Sequence, residues 1–310
     1  MVHARIAPGP VRVAIFMAAR RLLVLTSPPV AVGEPAMSFI TTQRLGRVLE
    51  ITMNRPPANA INREFSRQMH AALCELNDDA ELRVGLVTGA GERIFSAGWD
   101  LKEIAAIESN EAALNSADDL PGGFAGIVEF WDLKKPVIGA INGVAVGGGF
   151  EIALACDIMV AADHAEFFLP EMQRGFLPDA GAIQRLPRRL PYNVAMELFL
   201  TGRRMGAAEA KHWGLVHDVV PGAQLQETSR ALASRIAEGA PLALQALKEA
   251  LGAMMHLSLP ESFEVTRRAI AGKGSGSSGL PTYEKMLFSD DFMEGARAFA
   301  EKRKPVFKGS

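Results

Sequence analysis

The sequence predicts an α/β fold followed by a helical C-terminal region, and three observations support this prediction. Between Thr42 and Asp163, short β-branched runs alternate with segments whose apolar residues recur at helical spacing. Glycine turns end two of the predicted strands. After about residue 190, helical periodicity takes over. Such alternation is typical of one α/β core rather than of separate all-α and all-β parts.

The first predicted elements are two strands and a helix. Residues 42–53 place alternating apolar residues around a glycine turn, which predicts two short strands. The loop NRPPANAIN follows at 54–62, and its Asn62 is placed to cap the next helix. The helix over 63–79 has these apolar residues at helical spacing: Phe65, Met69, Leu73 and Leu76.

The alternation continues along the chain. VGLVTGAG, residues 84–91, predicts a strand that ends in a glycine turn, and residues 135–163 predict strand, glycine turn, apolar helix and strand. The Gly/Ser-rich stretch 271–279 predicts a flexible connection before the last helix. We therefore expect a core over 37–235 and a helical region over 236–310.

Composition excludes several classes of function. The 310 residues are 48% apolar and 22% charged, which is ordinary for a globular protein. A net charge of −2 gives no attraction to nucleic acid or an anionic membrane, so we expect neither as a partner. Cys74 and Cys156 lie in no metal-ligand or CxxC spacing. We therefore expect both to be small buried apolar residues of a protein in a reducing compartment such as the cytoplasm. The six histidines show no HxH or HExxH pattern, so we expect no metal site.

The first 36 residues differ from the rest. They contain no acid before Glu34, and Arg20 and Arg21 interrupt an apolar run that would otherwise suit a transmembrane helix. Arginines lie both before and inside this run, unlike those of a signal peptide. An amphipathic organelle-targeting peptide fits the composition. We favour a leader over 1–36 that is disordered or not native, because Met37 opens a regular strand pattern.

Two glycine-rich turns carry backbone groups that suit a ligand. Neither FSAGWDLKE (95–103) nor VGGGFE (146–151) matches GxGxxG or GxxxxGK[ST], so no nucleotide phosphate cradle is predicted. Glycines at 147–149 would expose N–H groups at a helix N-terminus, which lack internal partners and carry partial positive charge. This suits the stabilisation of an oxyanion, although close helix–strand packing explains a triple glycine equally well.

Two glutamates lie in apolar stretches. Glu151 stands between GGGF and IALAC, and Glu171 lies in FFLPEMQRG. A carboxylate in apolar surroundings has a raised pKa unless it is paired, and a raised pKa suits general acid–base catalysis near neutral pH. The alternative is that Glu151 caps a helix N-terminus and that Glu171 is exposed beside Pro170.

Four blocks in this order resemble the crotonase (enoyl-CoA hydratase/isomerase) family from about Ser38 to the C-terminus. They are FSAGWDLKE, KPVIGAINGVAVGGGFEIALACD, FFLPEMQRGFLPDAGAIQRLP and FAEKRKPVFKG. The resemblance implies a spiral of ββα turns with a helical C-terminal trimerisation region. It also implies a homotrimer or a hexamer of two trimers that acts on an acyl-CoA thioester. No cofactor is expected, because coenzyme A is part of the substrate.

The resemblance implies roles for individual residues. The N–H groups of Trp99 and Gly148 match the oxyanion hole that binds a thioester carbonyl as it becomes an enolate. Glu151 and Glu171 match two catalytic carboxylates. In hydration Glu151 would deprotonate water while protonated Glu171 delivers a proton to Cα, and dehydration reverses these roles. The implied coenzyme A contacts are Ala58, Ala60, Ala97, Asp100, Leu101, Lys102, Phe299 and Lys302. Lys102 could equally be a solvated helix residue, and the last two would act from a neighbouring subunit.

The pair of glutamates favours one reaction type over the others. Isomerases of the family generally keep only the glutamate of the Pro-Glu position, whereas this chain has both, which favours a hydratase or dehydratase. A general enoyl-CoA hydratase and an isomerase remain alternatives. A non-catalytic member that binds RNA is disfavoured by the two carboxylates and two turns, and no basic–aromatic patch supports it.

Further motifs resemble one branch of the family, the carnitinyl-CoA dehydratases, also called crotonobetainyl-CoA hydratases. These motifs are FSAGWDLKE, PGGFAG (121–126), TGRRMGAAEA (201–210) and FAEKRKPVFKG. The substrate of that branch carries a trimethylammonium group, and a tryptophan face such as that of Trp99 binds quaternary ammonium well. Trp99 and Asp179 depart from the commonest family pattern, which has alanine and often glycine at these places.

Overall fold

The computed structural model describes residues 38–106, 120–272, 274–276 and 278–310. The predicted leader over 1–36 and part of the predicted flexible stretch 271–279 lie outside the described residues. Residues Ser38–Ser310 form one unit. The division of this unit near residue 235 stays a proposal.

Ten strands lie within the described residues. They are β1 (Ile40–Leu45), β2 (Val48–Met53), β3 (Val84–Gly89), β4 (Ile94–Ser96), β5 (Val137–Ile141), β6 (Val144–Val146), β7 (Ile158–Ala162), β8 (Glu166–Phe168), β9 (Met205–Gly206) and β10 (Asp218–Val220). They form a six-stranded sheet in the order β1-β2-β3-β5-β7-β10 and a four-stranded sheet in the order β4-β6-β8-β9.

From β3 to β8, successive strands alternate between the two sheets. From β2 to β10 the larger sheet is parallel, with β1 antiparallel at its edge, and Leu86 pairs with Glu50 on one side and Ile138 on the other. In the smaller sheet β4, β6 and β8 are parallel, and β9 is antiparallel to β8. Each of the pairs β3–β4, β5–β6 and β7–β8 thus gives one strand to each sheet, as the predicted spiral of ββα turns requires.

Eleven α-helices of the described residues surround and extend these sheets. They are α1 (Arg63–Asp78), α2 (Leu101–Ala105), α3 (Gly148–Ala155), α4 (Ala182–Arg185), α5 (Tyr192–Thr201), α6 (Ala207–His212), α7 (Leu225–Ala237), α8 (Pro241–Met254), α9 (Leu259–Ala271), α10 (Pro281–Leu287) and α11 (Asp290–Ala300). Single 3₁₀ turns lie at Phe124–Gly126, Glu171–Arg174, Leu186–Arg188 and Gly222–Gln224.

The early elements match the sequence prediction. Gly46 turns β1 into β2 with φ +60°, and the side chain of Asn62 accepts a hydrogen bond of 2.8 Å from Phe65 N at the start of α1. The four apolar residues predicted to line this helix are buried. Burial of such residues drives the packing of α1 onto the sheet.

Two features of the second half differ from the prediction. The stretch after residue 190 was predicted to be helical, yet it contains β9 and β10, and β10 pairs in parallel with β7. A strand of three residues is too short to leave a periodic pattern. The periodicity over residues 231–255 also spans a break, because α7 ends at Ala237 and α8 restarts at Pro241. Proline starts a helix readily but cannot continue one.

The last four helices carry their own small core and many exposed apolar side chains. Ala250, Ala269 and Leu280 form a cluster separate from the main core. The exposed apolar side chains of α8 to α11 include Leu247, Leu251, Leu259, Phe263, Ile270, Phe292 and Phe299. Among the described residues, no helix is long and apolar enough to cross a membrane.

Candidate active site

The loop 54–62 and the segment 95–100 are joined along their backbones. Ala97 N donates to Ala58 O at 2.9 Å, Ile61 N to Gly98 O at 2.8 Å, and Asp100 N to Ile61 O at 2.9 Å. The structure thus places Ala58, Ala60, Ala97 and Asp100, four of the eight residues predicted to contact coenzyme A, on two adjacent hydrogen-bonded segments.

Arg55 fixes this pair of segments. Its guanidinium donates to Ala60 O at 2.8 Å and to the Asp100 carboxylate at 2.7 Å. The carboxylate of Asp100 is therefore engaged by Arg55, just as its backbone N–H is engaged by Ile61 O.

The two glycine turns meet at Gly98 and Gly148. Gly98 has φ +77°, and a Cβ added to it would lie 2.7 Å from Gly148 N and 2.7 Å from Val146 O. Only glycine allows this backbone conformation and this close approach without strain. Among the described residues, the N–H groups of Trp99 and Gly148 have no hydrogen-bond acceptor. Two unpaired donors, one of them at the N-terminus of α3, therefore lie at the junction of two loops.

Glu151 is buried in the first turn of α3. Its side chain is 3% exposed, and Oε1 accepts a 3.0 Å hydrogen bond from Ala182 N. This carboxyl group therefore caps α4 rather than its own helix, which was the alternative considered from the sequence. Burial raises its pKa to about 8, and the negative charges of Glu171 and Asp179 add to the effect. The Ala182 hydrogen bond and Arg185 oppose it.

Glu171 approaches the same point from the 3₁₀ turn after β8. Its Oε1 lies 2.5 Å from the position that a Cβ on Gly147 would occupy. Its Oε2 is buried and has no hydrogen-bond partner among the described residues. Burial raises the pKa of Glu171 and Asp179 adds to this, while the backbone N–H of Glu171 itself and Arg174 lower it. The alternative of a merely exposed glutamate does not fit a buried, unpaired oxygen atom.

An aromatic pair lies beside the two turns. The rings of Trp99 and Phe124 meet edge to face, with centroids 6.2 Å apart and an interplanar angle of 72°. The edge of Phe124 lies 2.5 Å from the place of a Cβ on Gly148, while the Trp99 side chain stays 38% exposed. Sequence reasoning did not single out Phe124, although it lies in the motif PGGFAG.

Asp179 is a third carboxylate near the two glutamates. It lies in the loop between the 3₁₀ turn of Glu171 and α4, and its charge raises the pKa of both Glu151 and Glu171. From the sequence it was noted only as a departure from a common glycine.

The remaining predicted contacts are exposed. Leu101 and Lys102 are exposed at the start of α2. Phe299 is 88% exposed and Lys302 follows the end of α11 with φ +53°. Within the described chain, no hydrogen bond or ion pair joins Phe299 or Lys302 to the two glycine turns or to the two glutamates. Within the same described residues, no group of histidine, cysteine or acidic side chains could hold a metal ion.

Comparison with protein families gives one match over most of the chain. The model of the enoyl-CoA hydratase/isomerase family matches residues 43–310. A carnitinyl-CoA dehydratase of Proteus mirabilis is 47% identical over 264 residues, which cover 85% of this chain and 96% of that protein. A carnitinyl-CoA dehydratase of Escherichia coli O157:H7 is 47% identical over 266 residues, or 86% and 97% of the two chains.

Solved structures show the same arrangement of the backbone. An enoyl-CoA hydratase from Mycobacterium tuberculosis H37Rv superposes with a TM-score of 0.76 at 36% identity, covering 88% of this chain and 99% of that one. An enoyl-CoA hydratase from Bacillus anthracis gives a TM-score of 0.76 at 35% identity, covering 88% and 100%. The predicted crotonase-like spiral is therefore confirmed.

Proposed function

The chain belongs to the enoyl-CoA hydratase/isomerase family, and on this premise we propose that it is an acyl-CoA hydratase/dehydratase. The observation that carries the proposal is that buried Glu151 and half-buried Glu171 lie beside two glycine turns with two unpaired backbone N–H groups. The enzyme is a hydro-lyase that adds water to, or removes it from, a 2-enoyl-CoA.

The geometry suggests which residue acts at each step of dehydration. The Glu171 carboxylate takes the proton from Cα of the 3-hydroxyacyl thioester, and the electron pair moves onto the carbonyl to give an enolate. The N–H groups of Trp99 and Gly148 stabilise the enolate oxygen, an arrangement in which one donor is typically worth about 10²–10³ in rate. As the double bond forms, the hydroxyl group leaves Cβ as water and takes its proton from Glu151. Hydration runs the same steps backwards.

The charge state of the site suits the start of dehydration. Burial raises the pKa of Glu151 to about 8, so near neutral pH this group holds a proton that it can give to the leaving hydroxyl. Coupled carboxylates titrate as a pair, and the reaction in either direction requires that Glu151 and Glu171 together hold one proton.

Glutamine substitutions test the two-carboxylate mechanism. We expect Glu151→Gln and Glu171→Gln each to lower kcat for hydration of crotonyl-CoA by at least about 10³-fold, because each removes a proton-transfer group. The loss of enoyl-thioester absorbance measures the rate, and circular dichroism checks the fold. If Glu151→Gln kept full hydratase activity, the two-carboxylate mechanism would be contradicted.

We propose that the enzyme interconverts crotonobetainyl-CoA and carnitinyl-CoA. Relatives that are 47% identical bear the name carnitinyl-CoA dehydratase, and the exposed face of Trp99 suits a quaternary ammonium group. We expect a higher kcat/KM for crotonobetainyl-CoA than for crotonyl-CoA, and a smaller ratio in Trp99→Ala. A wild-type preference for crotonyl-CoA would contradict this substrate, whereas an unchanged ratio in Trp99→Ala would contradict only the role of the indole.

Coenzyme A itself is proposed to bind along the joined loop segments. Ala58, Ala60 and Ala97 lie on these joined segments and would contact the adenine end, while Lys102, which follows closely after Ala97 and is exposed, would meet phosphate groups. An increase in KM for CoA thioesters in Lys102→Ala, with kcat unchanged, checks this placement. No separate cofactor is proposed.

We also propose that the chain forms a homotrimer or a hexamer of two trimers. Large apolar side chains are exposed along α8 to α11, and an exposed patch of this kind typically marks an interface. Phe299 and Lys302 would then contact coenzyme A bound to a neighbouring subunit. Light scattering on the purified protein measures the molar mass, and a monomer would contradict this proposal. A cytoplasmic location stays a prediction.

A further inference from the structure

The motif PGGFAG, residues 121–126, forms a turn that packs tightly against α1. Its three glycines have φ between +68° and +74°, and a Cβ added to Gly126 would overlap the backbone oxygen of Ser66. Ala125 also has a positive φ, +54°, a conformation that residues with a side chain rarely adopt. Such strained backbone persists only where its surroundings hold it, and it is common at functional sites.

The hydroxyl group of Ser66 holds this strained residue in place. Ser66 lies in the first turn of α1 and is 1% exposed; its Oγ accepts a hydrogen bond of 3.1 Å from Ala125 N and donates one of 3.1 Å to Asn62 O. Ala125 is fully buried, and its N–H has no other acceptor among the described residues. Loss of the Ser66 hydroxyl group would therefore leave a buried donor unpaired, which is unfavourable.

The residues just before α1 hold the Trp99 segment in the same way. Ile61 and Trp99 form a parallel bridge, in which Ile61 N donates to Gly98 O at 2.8 Å and Asp100 N donates to Ile61 O at 2.9 Å. Residues 61–66 are thus bonded to the Trp99 segment at one end and to the PGGFAG turn at the other. The start of α1 therefore sets the position of these two segments relative to each other.

Phe124, in the middle of the turn, packs against both residues that offer unpaired N–H groups. Its Cε1 and Cζ atoms lie 2.5 Å from the place of a Cβ on Gly148, and its ring meets that of Trp99 edge to face. An apolar ring in this position excludes water from one side of the two N–H groups. Backbone donors stabilise a developing negative charge more strongly where water is excluded.

We propose that Ser66 is a positioning residue for the oxyanion hole. By holding Ala125 in its left-handed conformation, the Ser66 hydroxyl group keeps the Phe124 ring against Gly148 and Trp99 and so strengthens the stabilisation of the enolate oxygen. This inference rests on the acyl-CoA function proposed above and adds to it a residue that touches neither the substrate nor the reacting atoms.

An enolate-forming ligand tests this role without turnover. Acetoacetyl-CoA, a 3-oxoacyl thioester, ionises to an enolate that absorbs in the ultraviolet, so a pH titration of the complex gives the pKa of the bound ligand. The titration is made on the full-length wild type, on Ser66→Ala, on Phe124→Ala and on the double variant. Thr88→Val is the matched control, because Thr88 is 2% exposed and its hydroxyl group donates to Ala140 O at 2.9 Å, between two strands of the larger sheet.

We expect Ser66→Ala to raise the pKa of bound acetoacetyl-CoA by about one unit, which is a tenfold loss of enolate stabilisation. For crotonyl-CoA hydration, kcat should fall about tenfold while KM stays within about twofold, because the interaction is made mainly with the enolate. Phe124→Ala should cause both changes, and Ser66→Ala should add less than about twofold in that background, since Ser66 acts through the ring. Thr88→Val should lose similar stability and change neither value.

Two outcomes would overturn the inference: an unchanged ligand pKa in Ser66→Ala, or a loss of kcat that adds in full to that of Phe124→Ala. A change of the same size in Thr88→Val would also overturn it, because the effect would then follow from stability alone. Ionisation of bound acetoacetyl-CoA needs no hydration of a double bond. A protein that showed the expected ligand pKa values but did not hydrate crotonyl-CoA would therefore contradict the proposed hydratase and support the role of Ser66.

Discussion

At the scale of single residues, Glu151 is a buried carboxyl group that can still take up and release a proton. It is almost fully buried, and it remains a titratable group whose pKa is raised to about 8. The single hydrogen bond from Ala182 N is too little to keep a buried carboxylate ionised at neutral pH. The Glu151 carboxyl group is therefore protonated rather than ion-paired, and it can transfer this proton.

The raised pKa of Glu151 makes the stability of the fold depend on pH. Below its ordinary value of 4.5, both the folded and the unfolded chain hold this proton. Between 4.5 and about 8, only the folded chain holds it, so the free energy of unfolding falls as pH rises through this window. We expect Glu151→Gln, which keeps an acceptor for Ala182 N, to remove about 3–5 kcal/mol of this pH dependence.

Thermal unfolding at pH 5 and pH 9 measures this effect. The variant should gain stability over the wild type at pH 9 and show little difference at pH 5. A difference of the same size at both values would mean that the glutamate titrates near its ordinary pKa. Glu75→Gln, on the exposed side of α1, is the matched control.

The two glutamates could be predicted from the sequence as a pair, because acids in apolar stretches are rare and the flanking motifs are specific. Asp179 and Phe124 could not be placed in the site. Asp179 lies in a polar loop where an aspartate is unremarkable, and the position of Phe124 over Gly148 depends on a contact between residues distant in the chain.

At the scale of elements, the site depends on how closely two turns approach. Gly98 and Gly148 belong to different turns of the spiral, and the space between them admits no Cβ. Both glycine turns were evident from the residues, but their proximity was implied only by the family resemblance, because nothing local indicates that the segment after β4 meets the N-terminus of α3. The same limit explains why β10 was missed: its three residues become a strand only because β7 offers an edge.

Two alanine substitutions distinguish the effect of the close contact between Gly98 and Gly148 from the effect of backbone strain. Gly98 and Gly91 have φ of +77° and +78°, but a Cβ on Gly91 meets nothing within 4 Å. Both variants should lose about 1–2 kcal/mol of stability for a left-handed alanine. We expect only Gly98→Ala to lower kcat/KM further, by about 10²-fold or more, because the added methyl pushes the two N–H groups apart. Equal rates for the two variants would contradict the oxyanion-hole geometry.

At the scale of the whole molecule, one buried arginine ties the C-terminal region to the larger sheet. Arg83, just before β3, is 5% exposed and donates to Ala237 O at 3.0 Å, Gly239 O at 2.9 Å and Phe307 O at 2.6 Å. Asp291 adds to this by accepting hydrogen bonds from Lys308 N and Gly309 N. The sequence predicted the helices of this region, but a contact between residues 83 and 307 leaves no local pattern.

Replacement of Arg83 should loosen this attachment. Arg83→Met leaves three carbonyl oxygens without their donor, and we expect a loss of about 2–4 kcal/mol in stability with earlier proteolysis after residue 300. Arg47→Met is the control, since Arg47 lies near Arg83 but is exposed and forms no hydrogen bond or ion pair with its side chain among the described residues. Equal denaturant midpoints for the two variants would contradict the role of Arg83.

The loop that carries Asp179 has a consequence for how such an enzyme can diverge. The groups proposed for the chemistry are backbone amides and glutamates held in tightly packed surroundings, where most mutations are destabilising. The side chains of Phe176, Leu177 and Asp179 are exposed, so point mutations there cost the fold little. Under selection for a new acyl group, this loop can accumulate changes while the proton-transfer machinery is inherited unaltered. Libraries confined to residues 176, 177 and 179 should therefore yield altered substrate preference far more often than inactive protein.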